Sequence, residues 1–170
     1  MITVTSVLGN IYKDKGLKKR YDQMRSRGLC EIINIHRLES QRVRMRKISD
    51  RGTDVAMTLP PGNRLRHGDI LLNGDDKMVV VELEPENVAV VEITHLHEDD
   101  MIEVPVKIGH TIGNLHRPLK LEAGKIYFPI QTESEVEMFK KLLNPLSHHI
   151  EIKSTRMVFE PEEGTDVHEH

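Results

Sequence analysis

The sequence predicts an α+β protein, with a small N-terminal all-β domain followed by a ferredoxin-like domain of order βαββαβ. Three observations carry that prediction. Residues 43–83 alternate short β-branched runs with turn residues, and residues 103–143 contain two stretches of helical apolar spacing. The charge balance also inverts between the halves: residues 1–85 hold 16 Lys and Arg against 11 Asp and Glu, residues 86–170 hold 8 against 16. A net of +5 facing a net of −8 implies two surfaces with different partners.

In the first half, residues 43–48 alternate apolar and basic side chains, Asp50-Arg51-Gly52-Thr53 supplies turn chemistry, and residues 54–59 alternate again, which predicts a hairpin. Pro60-Pro61-Gly62-Asn63 ends it, because proline has no N–H for a ladder. Ile70-Leu71-Leu72 and the dense run Met78-Val79-Val80-Val81-Glu82-Leu83 predict two more strands, separated by Gly74-Asp75-Asp76. The cations of residues 13–27 and 42–47 have a single interleaved aromatic, Tyr21, and are read as solvated strand and loop faces. A domain boundary is expected at Pro85-Glu86-Asn87, a polar turn between two β-branched runs.

In the second half, residues 88–93 predict a strand. From Glu103 to His116 the apolar residues fall at 104, 108, 112 and 115, a helical spacing that accommodates Pro105 if the helix begins near Glu103. Residues 119–121 and 125–130 flank a turn at Ala123-Gly124 and predict a hairpin. Thr132 and Glu135 have the spacing of a capping box, Val136, Phe139, Leu142 and Leu143 supply a buried stripe, and Asn144-Pro145 ends that helix. Residues 150–159 form the last strand. The expected organisation is thus 1–85, a β-rich domain, 86–159, a ferredoxin-like domain, and 160–170, a flexible acidic tail carrying His168 and His170.

Composition excludes several functions. With no Trp, three Tyr and three Phe, the chain is poor in base-stacking groups, so no nucleic-acid partner is expected. A single cysteine, Cys30, precludes an internal disulfide framework and a cysteine zinc site, and its apolar neighbours make it a core filler. No run approaches the ~20 apolar residues that span a bilayer, and the N-terminus lacks a signal-peptide profile, which points to a cytoplasmic protein without a membrane partner. Neither H-E-x-x-H, G-x-S-x-G nor a phosphate loop is present, so no enzyme is expected. A small metal-dependent hydrolase and a metal-free protein-interaction module are the competing readings.

The chemistry concentrates in histidines. Gly109, Gly113 and His116 are spaced i, i+4, i+7 and would share a helix face. Either the glycines admit a neighbouring element of the same chain and His116 caps the helix C-terminus, or a two-fold axis passes beside this face and brings two copies of His116 together. Two imidazoles across an axis make half of a metal site. His95 and His97 adjoin Glu98-Asp99-Asp100 and read as an exposed loop, His148 and His149 as solvated residues at a strand start, and His36 and His67 as surface residues.

The segment Ile112-Gly113-Asn114-Leu115-His116-Arg117-Pro118-Leu119 resembles the I/L-G-N-x-H-x-P-L signature of the UreE family of urease accessory proteins, which act as nickel metallochaperones. The likeness extends to Arg51-Gly52-Thr53-Asp54, Leu65-Arg66-His67-Gly68-Asp69-Ile70-Leu71, Phe159-Glu160-Pro161-Glu162 and the histidine-containing tail. The resemblance implies an N-terminal β domain that binds protein partners, a ferredoxin-like C-terminal domain, and a homodimer holding Ni(II) at its interface for delivery to apo-urease with a partner GTPase. His116 corresponds to the interface ligand, and His168 and His170 to the tail ligands. Two departures matter. Tyr127 and Phe128 stand where some members carry further histidines, and the tail has two histidines rather than a polyhistidine run. No ligand role carries over to His110.

Coordination physics fits a carrier. Imidazole suits Ni(II), Cu(II) and Zn(II), and the affinity order favours copper, so Zn(II) or Cu(II) competes unless availability and a dedicated partner select nickel. Two to four neutral imidazoles imply a dissociation constant of order micromolar, about −8 kcal/mol, weak enough for release. Such binding weakens as pH falls through about 6.5, where free imidazole protonates.

Overall fold

In the computed structural model, which describes residues 1–162, the chain separates into two units, Met1–Glu84 and Pro85–His170. The first contains β1 (Ile2–Val4), α1 (Lys15–Ser26), β2 (Cys30–Ile35), β3 (Arg44–Ile48), β4 (Asp54–Thr58), β5 (Ile70–Asn73) and β6 (Met78–Leu83). They build two three-stranded sheets, ordered β1-β4-β3 and β2-β6-β5. The β3–β4 hairpin lies where the alternation predicts it, with Arg44 opposite Thr58. The run at Met78 becomes β6, paired in parallel with β2 from Cys30 opposite Met78 to Ile35 opposite Leu83.

Helix α1 corrects the expectation that this domain is all β. Leu17, Tyr21 and Met24 stand at i, i+4, i+7, and Tyr21 and Met24 are buried with Cys30, Ile70, Met78 and Val80. Asp14 caps the helix by accepting from the Leu17 N–H at 2.9 Å. Gly28, with φ 71°, ends it. Three apolar side chains in so cationic a segment make a thin stripe, and packing against the β2-β6-β5 sheet is what stabilises the turns. Five of the eleven cations read as strand and loop faces therefore lie on a helix. Burial pushes the Cys30 thiol up to about 11, which keeps it protonated among the apolar side chains.

A partly buried ion pair joins Glu31 of β2 to Lys77, just before β6, and hydrogen bonds tie it to the turn after β3. Burial on its own would raise the Glu31 carboxyl, but hydrogen bonds from Lys77, Ser49 and Thr53 outweigh it and bring the group down to about 2. The Lys77 Nζ is 2.7 Å from Glu31 Oε1, and Ser49 Oγ donates to Oε2 at 2.5 Å. The folded value lies below that of an unfolded glutamate, so the stabilisation is present above about pH 4.5 and is lost as pH falls through about 2. With Lys77 partly open to solvent, the contribution is about 2 kcal/mol. Glu31→Gln is expected to lose stability at pH 7 and to show a shallower fall between pH 5 and 2, measured by urea unfolding followed by circular dichroism. An acid profile unchanged by the substitution counts against this account.

The second unit contains β7 (Glu86–Ile93), α2 (Asp100–Asn114), β8 (Lys120–Glu122), β9 (Lys125–Pro129), α3 (Ser134–Leu142) and β10 (Ile150–Met157). Its sheet is antiparallel in the order β10-β7-β9-β8, the ferredoxin-like arrangement. Ala89, Val91, Ile126, Phe128, Ile150 and Ile152 bury one sheet face against Val104, Ile108 and Ile112 of α2 and Val136 and Phe139 of α3. Phe128 and Phe139 meet at a ring-centroid distance of 4.5 Å.

Three local expectations change here. Helix α2 begins at Asp100 rather than near Glu103, which leaves Pro105 inside it and removes the N–H that would reach the carbonyl of Met101. Met101 is exposed, so water can satisfy that carbonyl. The capping box does not form: Glu133 occupies the N-cap without a side-chain bond, and Glu135 turns its carboxylate elsewhere. Residues 160–162, read as the start of the tail, belong to the folded unit, because Pro161 is buried and the Glu162 N–H donates to the Leu119 carbonyl at 2.9 Å. His168 and His170 lie outside the described residues. No described helix is long and apolar enough to cross a membrane.

Candidate functional site

Two helices of this chain end in the same hydrogen-bonded motif with different residues at its demanding position. After α1, Leu29 N–H donates to the Met24 carbonyl at 2.9 Å and Gly28 N–H to that of Arg25 at 3.0 Å, with Gly28 left-handed. After α2, Arg117 N–H donates to the Ile112 carbonyl at 3.3 Å and His116 N–H to that of Gly113 at 2.9 Å. Here the left-handed residue is His116, at φ 53°. A side chain there costs about 1 kcal/mol relative to glycine, because Cβ crowds the following carbonyl. Among the described residues only His116 and Ala123 combine a side chain with positive φ. Backbone strain of this kind concentrates at functional positions.

The corner is anchored on both sides of the strained residue. Ile112 is fully buried before it and Pro118 is buried after it. Arg117 Nη2 donates to Glu135 Oε2 at 3.1 Å, and Nη1 to the Pro129 carbonyl at 3.4 Å. The same Glu135 oxygen accepts the Gln131 N–H at 3.3 Å. With side chains 23% and 17% exposed, Arg117 and Glu135 form a partly desolvated pair that ties the end of α2 to α3. Sequence reasoning missed their pairing, since 18 residues separate them. His116 itself is exposed.

Beside this corner runs an unpacked helix face. Val104, Ile108 and Ile112 point into the core, whereas Ile102 is 78% and Val106 60% exposed. Gly109 and Gly113 continue the line of Ile102 and Val106 at i+7 and i+11. A Cβ added at either glycine meets nothing within 4 Å, so among the described residues these glycines do not admit another element of the same chain. The expectation of such a contact is overturned. His116 lies beyond Asn114, the last helical residue, and therefore stands at the end of this face rather than on it.

The other histidines are placed apart. The His110 Nε2 is 2.9 Å from the Asn114 amide on the same helix. His95 and His97 occupy an exposed loop, tethered where His149 Nδ1 lies 3.0 Å from the His95 carbonyl. His148 is exposed. In the first unit His36 approaches Glu84 at 3.1 Å. His67 is less open than a surface reading implies: its ring stacks on Tyr12 at 5.3 Å, and its Nδ1 accepts the Leu83 N–H at 3.1 Å. Among the described residues, no group of three or more His, Cys, Asp and Glu stands close enough to hold a metal ion.

Fold and corner together define a class: a two-unit α+β protein that presents a strained surface histidine at the end of an open, apolar helix face. Residues 4–84 match the family described as UreE urease accessory protein, N-terminal domain, and residues 86–170 match the C-terminal domain of the same family. The chain belongs to the UreE family of urease accessory proteins. It is 29% identical over 133 residues to the urease accessory protein UreE of Natronomonas pharaonis, which covers 78% of this chain and 61% of that protein. It is 25% identical to the UreE of Yersinia enterocolitica over 190 aligned positions, covering 100% of this chain and 80% of that protein.

Proposed function

We propose that the protein is a cytoplasmic nickel carrier for urease maturation, a homodimer that binds Ni(II) between two copies of His116 and completes the site with His168 or His170. The observation that carries this reading is His116 itself, an exposed imidazole held at a strained corner beside an apolar face that the described residues of its own unit leave open. A single described chain offers no three-ligand group, so a site centred on His116 must draw ligands from a second copy or from residues 163–170. The tail starts close by. Glu162 is hydrogen-bonded to Leu119, three residues past His116, and the six residues from Glu162 to His168 can span about 20 Å.

In this mechanism the protein does no bond-making of its own. The neutral imidazoles bind the ion, the apolar faces align the two ligands, and the tail exchanges with the interface so that the ion can leave by stepwise ligand replacement. Nickel then passes to the apo-urease assembly with a GTPase partner, and the β-rich first unit offers the surface for those proteins. Zn(II) and Cu(II) compete for the same ligands.

Equilibrium dialysis with nickel, run beside light scattering, tests the proposal. The expected result is one tightly held ion per two chains. Tight binding of one ion per monomer, or a monomeric protein that binds as strongly, contradicts it.

A further inference from the structure

Two departures from local preference in the second unit meet at one ion pair. At the end of α2 the left-handed position of the turn carries His116, where the same turn after α1 carries Gly28. At the start of α3, Thr132 and Glu135 have capping-box spacing, yet Thr132 Oγ1 lies 2.7 Å from Ser134 Oγ, and Glu133 at the N-cap makes no side-chain bond. The Glu135 carboxylate is shared instead between Arg117 Nη2 at 3.1 Å and the Gln131 N–H at 3.3 Å. Arg117 Nη1 reaches on to the carbonyl of Pro129, the last residue of β9. One guanidinium therefore fastens the residue after His116 to two other elements. A histidine in the left-handed region gains by relaxing towards helical φ, and a contact that outweighs this gain has to act beside it. Local rules give way in this manner where position matters more than stability.

We infer that Arg117 and Glu135 are positioning residues for metal capture: together they keep the corner in its left-handed turn, so that each chain offers its His116 imidazole already placed for a shared ion. This role rests on the nickel-carrier reading of His116. Neither residue touches the ion. Without the pair, the strain at His116 favours relaxed corners about fivefold, and the binding-competent fraction of each chain falls by that factor. A symmetric site needs both copies competent, so affinity falls about 25-fold. The chain stays folded through the corner, because Ile112 and Pro118 remain buried on either side of it.

Calorimetric nickel titrations of the full chain test the inference, paired with thermal melts and with the three-bond HN–Hα coupling at residue 116, which reads φ in the metal-free protein. Arg117→Met, which keeps the stem and loses the guanidinium, and Glu135→Ala are each expected to bind nickel about 25-fold more weakly and to move that coupling towards the helical value. The double variant should lose no more than either single one, because the two side chains act as a unit. Glu135→Gln, whose amide oxygen still accepts a hydrogen bond, should bind within about twofold of the parent. Ile152→Val thins the core away from the corner, and should lower the melting temperature while leaving affinity and coupling unchanged. A parental affinity in Arg117→Met, or a loss in Ile152→Val that matches it at equal melting temperature, overturns the positioning role and leaves the carrier reading intact. If His116→Ala binds nickel as the parent does, the carrier reading itself fails.

Discussion

Replacing His116 by glycine is expected to stabilise the second unit by about 1 kcal/mol and to abolish tight nickel binding. The two effects have one origin. Position 116 is the left-handed residue of a helix-ending motif, and the equivalent position after α1 is already glycine. Glycine removes the Cβ crowding, offset in part by its greater freedom in the unfolded chain. For a unit of this size, a gain of that order raises the melting temperature by about 4–8 °C. The imidazole is lost at the same time, and with it both proposed interface ligands, because a symmetric site would lose one from each copy. His116→Ala separates the terms, since it removes the ligand but keeps the strain: nickel affinity should fall about a hundredfold or more with little change in melting temperature. Calorimetry and thermal melts followed by circular dichroism read both quantities. A glycine variant that still binds one nickel per two chains at parental affinity would remove His116 from the site.

Placing a charge on the outer face of α2 should separate the proposed dimer without unfolding the monomer. Val106 is 60% exposed, so Val106→Glu costs a single chain little. Across a two-fold axis it sets two carboxylates near one another in an apolar contact, where unpaired buried charge costs several kcal/mol. The dimer dissociation constant is expected to rise a hundredfold or more, which is about 3 kcal/mol. Nickel affinity should fall with it, since the second imidazole leaves with the partner. Gly113→Ala sharpens the result from the other direction. Its Cβ meets no atom within 4 Å, so the helix gains about 0.5–1 kcal/mol, whereas a partner packed closely against the glycines would be pushed away. Sedimentation equilibrium at several concentrations distinguishes the outcomes. A Val106→Glu protein that remains a dimer places the interface on another face.

These expectations tie the strain at His116 to the exposure of the helix beside it. A left-handed histidine and an unfilled apolar stripe are both costly in an isolated chain, and neither improves the core of Val104, Ile108 and Ile112 that already secures α2. Both are accounted for if the corner and the stripe meet a second copy. The Arg117–Glu135 pair then has a role besides stability, because it holds the corner while the imidazole stays free to bind.

Much of the architecture was legible in one dimension because period-2 and period-3.6 patterns are local. The hairpin at Arg44–Ile48 and Asp54–Thr58, the run at Met78–Leu83 and the βαββαβ order of the second half all announce themselves in alternation, turn residues and apolar spacing. His116 was legible too, from its glycines and the G-N-x-H-x-P segment that the family resemblance turns on. Tertiary structure alone decided the rest. Helix α1 has too thin a stripe to declare itself and forms because Tyr21 and Met24 find a sheet to cover. Glu135, spaced for a capping box, goes instead to Arg117 and to the Gln131 N–H, because the partly buried guanidinium draws its carboxylate towards the end of α2. The left-handed φ of His116, the empty space over Gly109 and Gly113, and the docking of Glu162 onto Leu119 and Leu121 depend on groups brought together from distant parts of the chain or on what fails to pack there. Sequence spacing names the residues that can share a face; only the folded chain shows which faces remain uncovered, because burial is a property of the whole unit and not of any segment within it.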